Sequence, residues 1–198
     1  MGAEAILQAL WLFLPAYVAN MSPVFSAKLV PKWSHPIDGG RSRPDGTRYL
    51  GDGKTWRGLA GGALAAGLAA LGMTYITPHW NLVSAFDFDV DNVGRLRVFL
   101  FGAVVGFMAL AGDAVESYFK RKSGRERGAP WIPFDQLDFV VFGLLGMLLA
   151  GAWVGYDWLL EALLGDWLIL TTLIVLTPAL HLLINRIGYW MGLKEVPW

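Results

Sequence analysis

The sequence predicts an all-α integral membrane protein with five transmembrane helices. Three observations predict this fold class. Of the 198 residues, 55% are apolar, compared with about 45–50% in ordinary soluble domains. The apolar residues are concentrated in long uncharged runs, and a helix needs about 20 such residues to cross ~30 Å of hydrocarbon. Finally, the basic residues are confined almost entirely to alternate connections between these runs.

The uncharged runs give the approximate bounds of the five spans. We expect a single membrane domain over residues 1–198, with two large loops at about 30–55 and 122–135. The spans are expected at about 5–29, 56–78, 97–121, 136–156 and 166–187. The third uncharged run, residues 98–112, has only 15 residues. We therefore expect its helix to continue beyond the apolar layer through Asp113.

The distribution of Lys and Arg predicts the orientation. If successive connections lie on opposite sides, 14 of the 16 basic residues fall on one side and only Arg95 and Arg97 on the other. Basic short loops stay in the cytoplasm, so we expect the N-terminus outside and the C-terminus and both large loops inside the cell. No basic n-region precedes the first run, which predicts a retained span in the cell membrane.

The first span contains prolines and polar residues near its cytoplasmic end. Pro15 precedes the sequence Asn20-Met21-Ser22-Pro23. A proline at position 23 frees the carbonyl of Ala19 from its helical hydrogen bond. One interpretation is a simple kink, since proline is common in membrane helices. The other is that Asn20, Ser22 and Pro23 line a polar cavity.

The first large loop has the composition of a functional segment. It is 26 residues long over 30–55, well above the usual connection length, and its Gly, Pro and Asp residues predict turns. Trp33 and Tyr49 give it side chains to pack. The second span follows, with Gly58, Gly62 and Gly67 among its small residues, and such spacing predicts close helix packing.

Two further features are interpreted as structural. The acidic run at 87–91 resembles the start of a calcium loop, but Asn92 and Val98 stand where an EF-hand needs Gly and Glu. We interpret it as a solvated loop, with calcium binding as the alternative. His181 in the last span could be a proton relay, and we interpret it as a packed or hydrogen-bonded neutral histidine.

The segment before the second span carries cations at a helix N-terminus. Gly53-Lys54-Thr55 matches the end of a P-loop, but Arg48 occupies the position of the required first glycine, which excludes that motif. The helix dipole disfavours Lys54 and Arg57 there by ~0.3–1 kcal/mol each, so a bound anion would favour this arrangement. The alternative is ordinary anchoring of a cytoplasmic loop.

The joint between the third and fourth spans carries the second polar group. Asp113, Glu116, Ser117, Lys120 and Arg121 recur at helical spacing and so share one helix face.

Two aspartates, Asp135 and Asp138, lie one turn apart at the start of the fourth span. With Asp113 they are the best candidate metal ligands, and oxygen ligands in a chain without cysteine favour Mg²⁺, which uses one or two carboxylates plus substrate phosphates. The alternative is that the two aspartates only stabilise a helix N-terminus.

Metal ligands and cations at a membrane face indicate phosphoryl or nucleotidyl transfer, in which positioning and charge neutralisation do most of the work. The chain has no Cys, no GxSxG and no HExxH. A lipid phosphate would supply its own nucleophilic oxygen, which is consistent with these absences.

The segment GDAVESYFKR at 112–121, followed by DQLD at 135–138, is similar to the signature of the CTP:phosphatidate cytidylyltransferase superfamily. In that signature a GD…S..KR segment precedes a carboxylate pair. Together with NMSP at 20–23, DGG at 38–40 and GDGKTWRG at 51–58, the chain resembles the archaeal branch, the CDP-archaeol synthases.

The resemblance implies a Mg²⁺-dependent condensation of CTP with an isoprenoid ether-lipid phosphate, digeranylgeranylglycerol phosphate, to give CDP-archaeol and pyrophosphate. The catalytic residues it implies are Asp113, Lys120, Arg121, Asp135 and Asp138, with Asp113, Asp135 and Asp138 on the metal. The nucleotide-binding residues are expected to be Asp38, Gly51, Asp52, Gly53, Lys54, Thr55 and Arg57. Asn20, Ser22, Pro23 and Ser117 are expected to line the lipid cavity.

Two other functions stay open at this point. A CDP-alcohol phosphotransferase would share the start of its motif with Asp45-Gly46-Thr47-Arg48, but the pattern then breaks. A transporter or non-enzymatic lipid-binding protein would place polar groups near the bilayer midplane. We expect no nucleic-acid partner, and the sequence leaves open whether the chain forms a homodimer and whether it prefers CTP to dCTP.

Overall fold

The computed structural model describes residues 2–77, 93–126, 129–156 and 158–193, and all its regular elements are helices. The acidic run at 87–91 lies outside the described residues. Eight α-helices and one π-helical turn follow in order: α1 Gly2–Leu12, α2 Leu14–Leu29, α3 Trp56–Ile76, α4 Arg95–Lys122, α5 Phe134–Val154, α6 Trp158–Gly165, α7 Trp167–Thr171, the π-turn Thr172–Leu176 and α8 Thr177–Trp190. The all-α class is therefore confirmed for this part of the chain.

Several helices are long and apolar enough to cross a membrane. Within the described residues these are α3, α4, α5 and the continuous segment Trp167–Trp190, and the bent pair α1 and α2 would make a fifth. At 28 residues, α4 is ~42 Å long, which exceeds the ~30 Å hydrocarbon layer. Its polar end from Asp113 onward therefore continues beyond the apolar layer if the rest spans it.

The first span differs from the single helix expected over 5–29. Helices α1 and α2 meet at an angle of 48°, and the break falls at Phe13, ahead of Pro15 in the first turn of α2. A proline costs no helical hydrogen bond in that position. Pro23 lies inside α2 without ending it. Phe13 is fully buried and packs edge-on against Tyr17, with ring centroids 5.3 Å apart.

Small residues bring α2, α3 and α4 into close contact, as the sequence predicted for α3. A Cβ added to Gly62 would lie 3.1 Å from the carbonyl oxygen of Ala19, and one added to Gly102 would lie 2.5 Å from that of Ala66. Helices α4 and α5 approach as closely, because a Cβ on Gly112 would lie 2.8 Å from the carbonyl oxygen of Asp138. These contacts bring the polar ends of α4 and α5 together.

Two features that the sequence did not indicate lie in and just before the last span. The short helix α6 precedes it, and the π-turn Thr172–Leu176 interrupts it between α7 and α8. Large apolar side chains remain exposed on the outside of the bundle, among them Leu64, Leu149 and Val175. Exposed apolar surface of this kind is typical of a helix face that contacts lipid.

Candidate active site

A polar cavity of about 340 Å³ lies between the loop 30–55 and the ends of α4 and α5. It brings together residues from the loop and from α2, α3, α4, α5 and α8. The residues expected from the sequence that line it are Asn20, Pro23, Gly51, Gly53, Lys54, Thr55, Asp113, Ser117, Lys120, Arg121, Asp135 and Asp138. A volume in this range is typical of small-molecule sites.

Three carboxylates form an acidic cluster on one side of the cavity. Asp113 and Glu116 on α4 and Asp138 on α5 each offer an oxygen within 4.8 Å of the others. Oε1 of Glu116 and Oδ2 of Asp138 are buried and have no hydrogen-bond donor among the described residues. A buried carboxylate oxygen without a donor is costly, and a hard divalent cation is a suitable partner. The residues present therefore fit a metal ion.

This cluster differs from the ligand set expected from the sequence, which had Asp135 in place of Glu116. Oδ1 of Asp135 accepts a hydrogen bond from Nζ of Lys120 at 2.6 Å, and Oδ2 accepts the N–H of Trp131 at 2.7 Å. Both its oxygens are thus engaged. Glu116 lies on the polar face of α4 that the sequence predicted. Its helical spacing from Asp113 was the signal that could have identified it as a ligand candidate.

Lys120 is held at the cavity wall by carboxylates. Its side chain is only 10% exposed, and Nζ lies 3.8 Å from Glu116 in addition to its bond with Asp135. An ammonium removed from water needs such partners. Lys120 therefore presents a fixed positive charge beside the acidic cluster.

Lys54 reaches from the loop to the acidic cluster. Its Nζ donates a 2.5 Å hydrogen bond to Oδ2 of Asp113, 59 residues away in the chain. Burial of the ammonium opposes its charged form, but the charge of Asp113 and this hydrogen bond dominate, so the pKa of Lys54 is raised above its usual value. Lys54 is accordingly cationic at neutral pH.

Asp38 organises the loop without lining the cavity. It accepts hydrogen bonds from Nη2 of Arg48 at 2.7 Å and from the N–H groups of Gly40 and Leu50 at 3.0 Å each. Burial opposes the carboxylate form, yet the Arg48 and backbone donors outweigh it and lower the pKa of Asp38 to about 2. Asp38 is thus the centre of the loop fold.

A second contact holds the loop on α4. The guanidinium of Arg43 lies 4.8 Å from the ring centroid of Tyr118 and 5.5 Å from that of Tyr49, and the two rings are parallel. Nη2 of Arg43 also donates to the carbonyl of Tyr118 at 3.1 Å. Stacked arginine contributes up to ~2 kcal/mol at such sites, so this contact fixes the loop above the cavity.

Four residues expected at the site lie outside the cavity wall. Besides Asp38, Asp52 is exposed and paired with Arg48, and Arg57 donates to the carbonyl of Val30 at 2.8 Å. Ser22 is buried and donates to the carbonyl of Val18 at 2.7 Å. Thr55 lines the cavity and also caps α3, because its Oγ1 accepts the N–H of Gly58 at 3.1 Å.

An apolar groove of about 220 Å³ adjoins the polar cavity between α2 and α8. Its own wall includes Met21, Phe25 and Ile184. The two cavities share five lining residues, which are Asn20, Val24, Phe139, His181 and Asn185. His181 and Asn185 were not expected at the site, although their spacing of four residues places them on one face of α8.

Comparison with known proteins identifies the family. The family model described as "CarS-like: CDP-archaeol synthase" matches residues 3–198. The chain belongs to the CDP-archaeol synthase family. It is 41% identical to the CDP-archaeol synthase of Halobacterium salinarum over 197 residues, covering 98% of this chain and 97% of that one.

Another member of the CDP-archaeol synthase family matches over nearly its whole length. The CDP-archaeol synthase of Methanopyrus kandleri is 39% identical over 201 residues, covering 100% of this chain and 98% of its own. A solved structure of an intramembrane enzyme for archaeal membrane lipids biosynthesis is similar with a TM-score of 0.56. It is 32% identical and covers 80% of this chain and 90% of that one. Both cavities lie within the range that the CDP-archaeol synthase family model matches.

Proposed function

We propose that this chain condenses CTP with an isoprenoid ether-lipid phosphate, digeranylgeranylglycerol phosphate, to form CDP-archaeol and pyrophosphate with Mg²⁺. The observation that carries the proposal is the shared wall between a charged cavity and an apolar groove. The phosphate end of the lipid suits the charged cavity, and its apolar chains suit the groove. CTP, which has no apolar chain, needs only the charged cavity. The names of the full-length relatives support the same reaction.

The reaction requires one bond to form and one to break. A phosphate oxygen of the lipid attacks the α-phosphorus of CTP and forms the new P–O bond of the pyrophosphate linkage in CDP-archaeol. The bond from the α-phosphorus to the oxygen that bridges it to the β-phosphorus breaks, and pyrophosphate leaves with that electron pair. The attacking phosphate is already anionic, so no protein nucleophile is required.

The cations of the cavity bind and orient the two phosphate groups. Lys54 brings positive charge from the loop, and Lys120 and Arg121 bring it from α4. The loop backbone lines the cavity at Gly51, whose φ of 98° strongly favours glycine. Positioning of this kind, with neutralised charge, accounts for most catalysis in phosphoryl transfer.

The acidic cluster of Asp113, Glu116 and Asp138 would hold the Mg²⁺. When bound, the ion neutralises charge on the triphosphate and on the departing pyrophosphate. Lys54 and Lys120 flank the cluster through Asp113 and Glu116. The positive charges of these two lysines offset the repulsion between the carboxylates, and their ion pairs hold the carboxylates in place.

The apolar groove takes the part of the lipid next to glycerol. Its volume of about 220 Å³ is below the ~300–1,000 Å³ of sites that enclose a whole ligand. The remainder of the isoprenoid chains therefore stays in the bilayer. The distribution of basic residues supports a cavity on the cytoplasmic face of the cell membrane, where CTP is available.

The test is a reconstituted turnover assay with purified protein. Pyrophosphate release should require CTP, the ether-lipid phosphate and Mg²⁺ together, and omission of any one should abolish it. An ester-lipid phosphate run in parallel tests the lipid chemistry. Pyrophosphate release without lipid, or release of CMP from a CDP-lipid in place of pyrophosphate release, would contradict the proposal.

A further inference from the structure

Three helices meet where the polar cavity adjoins the apolar groove. Asn20 comes from α2, Phe139 from α5, and His181 and Asn185 from α8, and all four line both cavities. We name Asn20, His181 and Asn185 the polar neck. Any molecule with a phosphate in the cavity and an apolar chain in the groove must pass these three side chains.

Two members of the polar neck, His181 and Asn185, are held in place by their neighbours. Nδ2 of Asn185 lies 3.3 Å from Nε2 of His181, and Asn185 is only 3% exposed. The imidazole of His181 packs against Phe139 with ring centroids 5.4 Å apart. Side chains fixed by packing and hydrogen bonds are pre-organised, which lowers the cost of ordering them on binding.

The π-turn Thr172–Leu176 sets the direction in which α8 presents His181 and Asn185. A π-turn adds one residue to the helix, and one residue corresponds to about 100° of rotation for everything that follows. The helical face that carries His181 and Asn185 is therefore rotated by that angle relative to its direction in an uninterrupted α-helix. Just after the turn, Oη of Tyr17 and Oγ1 of Thr177 lie 2.6 Å apart and join α8 to α2. Single π-turns within helices occur frequently at functional sites.

We propose that the polar neck binds the glycerol segment of the lipid phosphate and so positions its phosphate for attack on CTP. This inference rests on the proposed function. Ether oxygens accept hydrogen bonds and cannot donate them, so their recognition needs donors. The amide nitrogens of Asn20 and Asn185 and a ring N–H of His181 are donors. The three are positioning residues, because the bonds that form and break lie at the phosphates.

The test separates lipid binding from nucleotide binding. His181→Phe keeps the aromatic packing against Phe139 and removes the ring nitrogens, and Asn185→Leu keeps the side-chain size and removes the amide. Each should raise the KM for the lipid phosphate about tenfold, equivalent to about 1.4 kcal/mol. The KM for CTP should stay within about twofold, as expected when a lost contact serves only one substrate.

Controls distinguish positioning from a structural role. Leu183→Met, on α8 but outside both cavities and exposed on the outer face, should leave both KM values unchanged. His181→Gln restores a donor and should bring the lipid KM back to within about threefold of wild type. If His181→Phe or Asn185→Leu does not fold in detergent, Asn20→Leu on α2 carries the same expectation.

Equilibrium binding of the lipid phosphate in detergent, without CTP or metal, supplies a readout that is independent of turnover. The folded neck variants should bind it about tenfold more weakly. An unchanged lipid KM and affinity in an active enzyme, or equal increases in both KM values, would overturn the polar-neck proposal alone. Failure of the wild type to form CDP-lipid would instead overturn the proposed function.

Discussion

Lys54 of the loop and Asp113 of α4 form an ion pair of 2.5 Å across a separation of 59 residues. It is the direct link between the loop 30–55 and the acidic cluster. The side chains are 22% and 33% exposed, respectively, so water screens the pair only in part. The loop and the α4–α5 joint therefore form a single charged cavity rather than two separate surfaces.

Replacing Lys54 with Met should impair turnover strongly. The substitution removes a cation from the cavity while keeping much of the side-chain length, and charge-assisted hydrogen bonds are worth ~1.5–3 kcal/mol. We expect kcat/KM for CTP to fall by about 10- to 100-fold. The matched control is Lys122→Met, at the exposed end of α4, which should stay within about twofold of wild type. Equal effects of the two substitutions would refute the role of Lys54.

The acidic cluster and Asp135 should respond differently to Mg²⁺. Glu116→Gln and Asp138→Asn each remove a ligand, and we expect the Mg²⁺ concentration for half-maximal activity to rise at least about tenfold, since even outer-shell losses reach that size. Asp135→Asn should lower activity through Lys120 with that concentration nearly unchanged. Magnesium titrations of turnover measure this. If Asp135→Asn shifts the midpoint as far as Asp138→Asn does, Asp135 belongs among the ligands.

Gly112 is required for the close approach of α4 and α5. A Cβ there would lie 2.8 Å from the carbonyl oxygen of Asp138 and 2.7 Å from Cβ of Phe142. We expect Gly112→Ala to destabilise the fold by about 1–3 kcal/mol and to reduce activity, because it separates Asp113 from Asp138. Gly72→Ala in α3, where no described atom of another segment lies within 4 Å of an added Cβ, should be neutral or stabilising. Thermal unfolding in detergent and turnover measure both, and a harmless Gly112→Ala would show that the helices can separate freely.

Asp38 should stabilise the loop in a pH-dependent way. Its folded-state pKa of about 2 lies below the ordinary value of 3.8, so its contribution is fully present above pH ~4 and is lost as the pH falls towards 2. At 1.36 kcal/mol per unit of pKa, the contribution is about 2 kcal/mol. Asp38→Asn should therefore lower the Tm at pH 6, with a smaller difference from wild type at pH 3. Asp52→Asn, at an exposed partner of the same arginine, should change the Tm little at either pH. A difference for Asp38→Asn that grows on acidification would contradict the assignment.

Much of the helical architecture could be predicted from local patterns. Long uncharged runs require helices in a bilayer, and the polar stripe from Asp113 to Arg121 follows from the 3.6-residue period. The break at Phe13 and the π-turn Thr172–Leu176 could not be predicted, because both depend on tertiary packing. Pro15 and Pro178 each mark the first turn of the helix that follows, but neither proline fixes the 48° angle between α1 and α2 or the presence of the π-turn.

The candidate site was predictable in its segments but not in its pairings. Lys54 and Asp113 were both expected at the site, yet only the fold decides that they contact each other. Asp38 resembles a ligand in sequence and proves to be the acceptor for Arg48 and loop N–H groups. Arg57 is only three residues after Lys54 in the sequence, but its guanidinium donates to the carbonyl of Val30 and does not line the cavity. A single sequence does not distinguish charges that hold a loop from charges that face a ligand.

The most direct test of a site built jointly by the loop and the α4–α5 joint is a double-mutant cycle on Lys54 and Asp113. The measured quantity is kcat/KM for CDP-lipid formation by wild type, Lys54→Met, Asp113→Asn and the double variant. Residues in one catalytic cluster should show a coupling free energy of about 1 kcal/mol or more. Additive effects, within about 0.5 kcal/mol, would show that the loop and the joint act independently and would contradict the account.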